Sequence, residues 1–264
     1  MYYLNNKFLT TKSNSKIMGE YKTEFSCNRC GYCCTDPSTQ INMTLLDIKW
    51  MSDITKMSVK EMFEKDVISF IPFVKTQDFT LFEVDFGIKR PCPLYKENGC
   101  TVYEGRPMNC RIFPYWFITN NVQDDLECTK NLKLDPMVHF KYKMYERMLG
   151  QVLIDEGKRT DEFIKRVGIT QTIDISKEED VPRIVKLFKK AAENDPEKAQ
   201  KYAQKLMKIA DKKVKRDELL KKVYLVEEEI EKLNFDEKID IIINAEGILD
   251  SEIENIDFKM QNTY

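Results

Sequence analysis

The spacing of apolar residues changes character near residue 130. Before it, apolar residues come in short bursts cut by polar and proline-bearing stretches; after it, they recur at helical intervals. Thr44 with Asp47 three residues on predicts a short capped helix carrying Leu45, Leu46, Ile48 and Trp50. The stretch MTLLDIKWM around it reads as a buried helix face. Ser58 with Glu61 repeats the signal and opens a second helix over SVKEMFEKDVISF. DFTLFEVDFGI, residues 78–88, is rich in Phe and Val and bounded by polar residues, so it predicts a strand. Pro91 and Pro93 in RPCPL forbid regular helix and predict an extended turn. RIFPYWFIT, 111–119, predicts a second strand, bent or at an edge because Pro114 has no amide to donate.

Beyond 130, HFKYKMYERMLGQVLIDEG predicts a helix. Ser176 and Glu179 form a capping box ahead of VPRIVKLFKKAA, and Asp195-Pro196 is an N-cap followed by proline at the first helical position. The long helical stretch that follows reads as one rod or two, and NFDEKIDIIINAEGILD as a further short helix pair. No fixed-period repeat is visible. The expected architecture is α+β and predominantly helical. A polar lead-in (1–24) precedes a small cysteine-rich metal-binding module (25–130) and a helical C-terminal region (131–264).

At 264 residues the chain can bury a sizeable core in one or two domains. Lys plus Arg (42) nearly balances Asp plus Glu (44), which leaves no electrostatic footprint for nucleic acid, and none is expected as a partner. The run KKVKRDELLKK reads as the solvated face of a helix. No apolar run is long enough to span a membrane, so no membrane partner is expected. The N-terminal stretch lacks an apolar signal core, so the expected location is the cytoplasm, where thiols stay reduced.

That compartment matters because CNRCGYCC, residues 27–34, places four of the chain's eight cysteines in eight positions. A disulfide scaffold suits short secreted chains; here metal ligation is the better reading. Cys27-x2-Cys30 and Cys30-x2-Cys33 chain two tight turns that aim sulfurs at one point. The same i, i+3, i+6 spacing begins the bacterial ferredoxin run, although Cys34 follows at once where that run has a three-residue gap. Adjacent Cys33 and Cys34 are expected to point apart, toward two centres. With Cys92, Cys100, Cys110 and Cys128 the chain holds enough thiols for two four-sulfur sites, and a single histidine, His139, leaves little room for mixed coordination. Cys92 and Cys100 are brought together across a turn at Asn98-Gly99. Arg106 and Arg111 bracket Cys110; they either offset thiolate charge, as cofactor-binding residues, or pair with carboxylates elsewhere.

CNRCGYCC followed by CPLYKENGCTVYEGRPMNCRIFPYWF resembles the YkgJ-type cysteine-cluster family, and the likeness runs through residues 25–117. The resemblance implies a zinc- or iron-chelating domain with Cys27, Cys30, Cys33, Cys34, Cys92, Cys100 and Cys110 as metal-binding positions. Cys128 lies outside the core signature and joins them by counting alone. The cysteine run is also distantly similar to that of flagellin lysine N-methylases.

Soft all-thiolate ligation suits both zinc and an iron–sulfur cluster, with a four-iron cubane as one form. The 27/30/33 spacing and the lack of histidine tip the balance toward iron–sulfur. Three functions fit. One is a metal-binding protein whose centre is structural or carries electrons. Another is an iron–sulfur-dependent enzyme acting in protein modification. The third is a zinc-organised module whose C-terminal helices bind a protein partner. No catalytic residue is assigned: one histidine supports no Ser/His/Asp arrangement, and no Gly-rich loop follows a strand. His139 reads as a surface or packed residue. Phe113, Tyr115, Trp116 and Phe117 read as core or as a hydrophobic shell around the metal.

Overall fold

The computed structural model describes residues 24–25, 27, 29–36, 40–74, 81–97, 99–120, 127–129, 132–169, 173–174 and 180–251. The chain enters through a single helical turn, α1 (Tyr32–Thr35), and a short strand, β1 (Ile41–Asn42). The two predicted capping boxes form as read: Thr44 and Asp47 open α2 (Leu45–Thr55), and Ser58 and Glu61 open α3 (Val59–Glu64). In each, the N-cap hydroxyl takes the N3 amide and the N3 carboxylate takes the N-cap amide, satisfying two groups that helix geometry leaves without partners.

The second helix stops well short of Phe70. Asp66, at φ 57, turns the chain, and Ser69–Val74 becomes β2. This segment's β-branched and aromatic residues pair with β3 (Leu81–Ile88), the predicted strand, in antiparallel register Phe70↔Phe86 and Val74↔Phe82. Pro72 is tolerated because β2 lies at a sheet edge. On its other side β3 takes β1 at one end and β6 (Ile173–Asp174) at the other.

A two-stranded hairpin follows, β4 (Tyr95–Lys96) and β5 (Gly99–Cys100). The strand expected over 111–119 does not form. Two short helices, α4 (Met108–Ile112) and α5 (Tyr115–Thr119), take its place, and Pro107 and Pro114 are their N-caps. Proline lacks an amide, and a helix start is where an amide has no acceptor, so the residue that argued for a bent strand instead opens a helix.

The helical region begins with α6 (Pro136–Arg166), capped by Asp135, whose carboxylate accepts the Met137 amide at 2.8 Å. Then come α7 (Asp180–Asn194) and α8 (Pro196–Lys213), the latter with the predicted Asp195 cap and Pro196 in its first turn. The Ser176–Glu179 box lies outside the described residues. The expected long rod is three helices, α8, α9 (Arg216–Leu220) and α10 (Val223–Lys232). It breaks where Val214 turns extended and Arg216 leaves the helix line to bond Asp66 and the Phe63 carbonyl. The expected short pair is one helix, α11 (Asp236–Asp250), because Ile242, Ala245 and Ile248 form one unbroken buried stripe.

The molecule is thus α+β and predominantly helical. One hydrophobic cluster runs from Leu45 and Phe63 through Phe86 to Tyr145, Leu149, Val226 and Ala245, so the sheet, the capped helices and the C-terminal helices share a core. Cys92, Cys100 and Cys110 pack against its edge. Among the described residues no helix is long and apolar enough to cross a membrane.

Candidate metal centre

The cysteine run is shaped by Gly31. It sits at φ 78, where residues with a side chain are strained, and a Cβ there would lie 2.3 Å from the Tyr95 hydroxyl. The close approach docks the 27–34 segment on the hairpin, where the Tyr95 hydroxyl also faces the Arg29 carbonyl at 3.5 Å. The Cys92 amide donates to the Cys34 carbonyl at 2.7 Å and stitches the second cysteine group to the first. Tyr95 opposes Cys100 in the hairpin, and both the Thr101 amide and its hydroxyl bond the Leu94 carbonyl at 2.9 Å, which closes the turn between Cys92 and Cys100.

Cys110 rides on α4. That helix is fixed because Asp47, beyond its capping duty, accepts the Met108 amide at 2.7 Å, while the Asn109 side chain donates to the Asn42 carbonyl at 2.7 Å. Cys128 stands on the single turn Glu127–Thr129.

These elements bring all eight cysteines to the wall of one cavity of about 660 Å³. All eight are free thiols; Cys27 and Cys30 are exposed, and the other six are half-buried. The expectation that Cys33 and Cys34 face apart fails: their sulfurs lie 3.9 Å from each other. Successive residues of one helical turn are only about 1.5 Å apart along its axis, so two short side chains can converge. The pair shares protonation. The Cys34 thiol beside it brings Cys33 down to about 6, with Arg90 assisting, and the same contact, then burial, pushes Cys34 up. Burial raises Cys92, Cys100 and Cys110, and Cys128 rises to about 11 through burial and then the nearby Cys30 sulfur. Apart from the Cys33–Cys34 pair, these thiols are held protonated mainly by burial and secondarily by neighbouring sulfurs, a donor set suited to a cation, since bound metal displaces the protons.

Among the described residues no three Cys, His, Asp or Glu side chains stand in an arrangement that could hold a metal ion as they are. The fit to a metal therefore rests on donor chemistry, eight soft ligands around one space. His139 lies on α6, away from the cavity wall. Phe113, Tyr115 and Phe117 line the cavity, whereas Trp116 is 48% exposed.

Arg106 and Arg111 both reach the cavity wall, and both bond Glu246 of α11. Arg111 is fully buried. It donates to Glu246, to the Glu104 carbonyl and, at 3.0 Å, to the Arg106 carbonyl, and its guanidinium lies 4.3 Å over the Trp50 ring. Arg106 donates to the Tyr103 carbonyl at 2.8 Å and stacks 3.9 Å over the Tyr103 ring. Glu246 was invisible in the sequence, being 135 residues from Arg111 with no motif around it. The other lining residues Asn42, Asp85, Leu153, Gly157, Thr160 and Asp161 were equally so.

The cavity, the capped helices and the hairpin together gather a cluster of cysteine thiols. Residues 26–130 match the family model described as "CxxCxxCC: Putative zinc- or iron-chelating domain". That segment carries the likeness, and the helices after it lie outside the match. No curated protein and no solved structure matches the chain.

Proposed function

We propose that the cavity holds an iron–sulfur centre, a four-iron cubane being the form that suits it, and that the protein passes electrons through it. One observation carries this reading: eight thiols line a single cavity whose Cys27–Cys30 side is exposed. A zinc staple calls for sulfurs gathered tightly about one ion at about 2.3 Å, and closed off from water. Thiols spread around a roomy cavity suit a larger inorganic core better. When bound, such a centre supplies one-electron transfer. The chain's own residues hold it, keep Cys92, Cys100 and Cys110 against the apolar core, and leave the Cys27–Cys30 edge open to a redox partner. A cytoplasmic location, where thiols remain reduced, belongs to this reading. So does a protein partner that meets the C-terminal helices.

The test is anaerobic purification followed by iron, zinc and acid-labile sulfide analysis with a visible spectrum. Iron with sulfide, and a broad absorption that bleaches on reduction, is the expected result. Zinc without sulfide would sink the electron-transfer reading and leave the cysteines a structural staple. A second reading, an iron–sulfur enzyme acting in protein modification, is favoured by Asn42, Asp85 and Asp161, polar residues that line the cavity together with the thiols.

A further inference from the structure

We propose that Glu246, on α11 and outside the cysteine-cluster segment, is a positioning residue of the thiol centre: it holds Arg106 and Arg111, and through them the chain between Cys100 and Cys110. The inference rests on the metal reading above.

The geometry is a clamp. The guanidinium of Arg111 gathers the Glu104 and Arg106 carbonyls, so the peptide just before Cys110 is wrapped around its own side chain. The planar fork of arginine suits several acceptors at once. Its charge, fully buried, needs a carboxylate, and among the described residues Glu246 is the one bonded to it. Glu246 also takes Arg106 at 3.4 Å, and Arg106 in turn covers Tyr103 between Cys100 and Cys110. One carboxylate thus ties down the middle of the segment and its Cys110 end.

The clamp is anchored from outside. Ala245 and Ile248 seat α11 in the core, Lys238 reaches Asp155 of α6 at 3.4 Å, and Lys141 holds the Ser251 carbonyl at 3.1 Å. Glu246 also sets the local charge. It offsets one of two guanidinium charges beside the thiols, and Arg106 acts electrostatically on Cys100. Groups that orient ligands in this way tune metal affinity without touching the metal.

The experiment uses the reduced full-length chain, handled without oxygen. Zinc affinity is read by competition with a chromophoric chelator, and Co(II) is titrated as a spectroscopic reporter of thiolate geometry. Glu246→Gln should weaken zinc binding by about tenfold or more and alter the Co(II) bands. Glu246→Asp, which keeps the charge on a shorter arm, should fall between it and the unaltered chain. Glu228→Gln, an exposed carboxylate paired with Lys232, should change neither readout. Unchanged affinity and an unchanged Co(II) spectrum in folded Glu246→Gln overturn the proposal. If that variant does not fold, Arg106→Gln, which leaves the buried pair intact, decides: several-fold weaker zinc binding supports the clamp and unaltered binding overturns it. Failure of the unaltered chain to take up zinc or cobalt, with neither iron nor sulfide in the protein as purified without oxygen, is a separate outcome, and it overturns the metal reading itself.

Discussion

Glu156 is a buried carboxylate on α6, and neither of its oxygens has a hydrogen-bond partner among the described residues. Arg159 is its nearest cation, at 3.6 Å. Burial holds its carboxyl above the ordinary 4.5, while Arg159 and Lys238 work against the rise and Asp155 and Asp47 add to it. A folded-state value above the unfolded one means that the fold prefers the protonated form. Stability from this residue is therefore fully present below pH 4.5 and is lost as pH climbs through the folded value. Urea unfolding of the metal-free protein at a series of pH values should show Glu156→Gln gaining on the unaltered chain as pH rises, by on the order of 1 kcal/mol near neutrality. A constant difference across the series would rule this out. Gly31 makes the opposite case, a residue whose replacement must hurt. Gly31→Ala meets both a left-handed backbone, costing about 1–2 kcal/mol, and the Tyr95 hydroxyl. The variant should retain less metal after gel filtration. Gly150→Ala, with nothing within 4 Å and a helical backbone, should gain about 0.5–1 kcal/mol in the same preparation. Equal metal content in the two would mean that the Gly31–Tyr95 contact does not shape the site.

Helix starts were the elements most legible in the sequence, because a capping box is local: Thr44 and Asp47, or Ser58 and Glu61, complete their bonds within four residues. Short apolar runs were the least legible. ISF, at the end of SVKEMFEKDVISF, reads as helix, and its Ser69 and Phe70 begin a strand; RIFPYWFIT reads as a strand and is two helical turns. Period alone cannot separate these cases, because what decides is the partner, β3 for the first and the aromatic group around Tyr115 for the second. Tyr115 lies 4.8 Å from Tyr145 and 5.0 Å from Tyr142, edge to face, and both partners are on α6. The two caps also differ in a way the sequence hides. Asp47 accepts the Met108 amide as well as closing its own helix, and Glu61 has no such second duty toward the site. Asp47→Ala should therefore cost about 2–4 kcal/mol, a lost cap plus a stranded buried amide. Ser58→Ala should cost about 1 kcal/mol. Urea midpoints that fall equally would show that Asp47 is only a cap.

For the molecule as a whole, the clustered cysteines were readable from composition and spacing, and their surroundings were not. Cysteine pairs at CxxC intervals announce themselves, whereas Glu246 and Thr160 meet the site only after the chain has folded back over more than a hundred residues. That long return has a consequence for metal removal. In a small metal finger the site is the core, and chelation unfolds the domain. Here the hydrophobic cluster runs through α2, α3, the sheet, α6, α10 and α11, and cysteines meet it only at its edge. The α6–α11 contact and the β2–β3 ladder do not pass through a thiol. Chelation under reducing conditions should therefore leave most of the far-ultraviolet helical signal in place. It should free the thiols to react and open the 27–34 segment to proteolysis, and thermal unfolding should remain cooperative at a lower midpoint. Collapse of the helical signal together with metal loss would show instead that the centre, and not the shared apolar core, holds the two halves of the chain together.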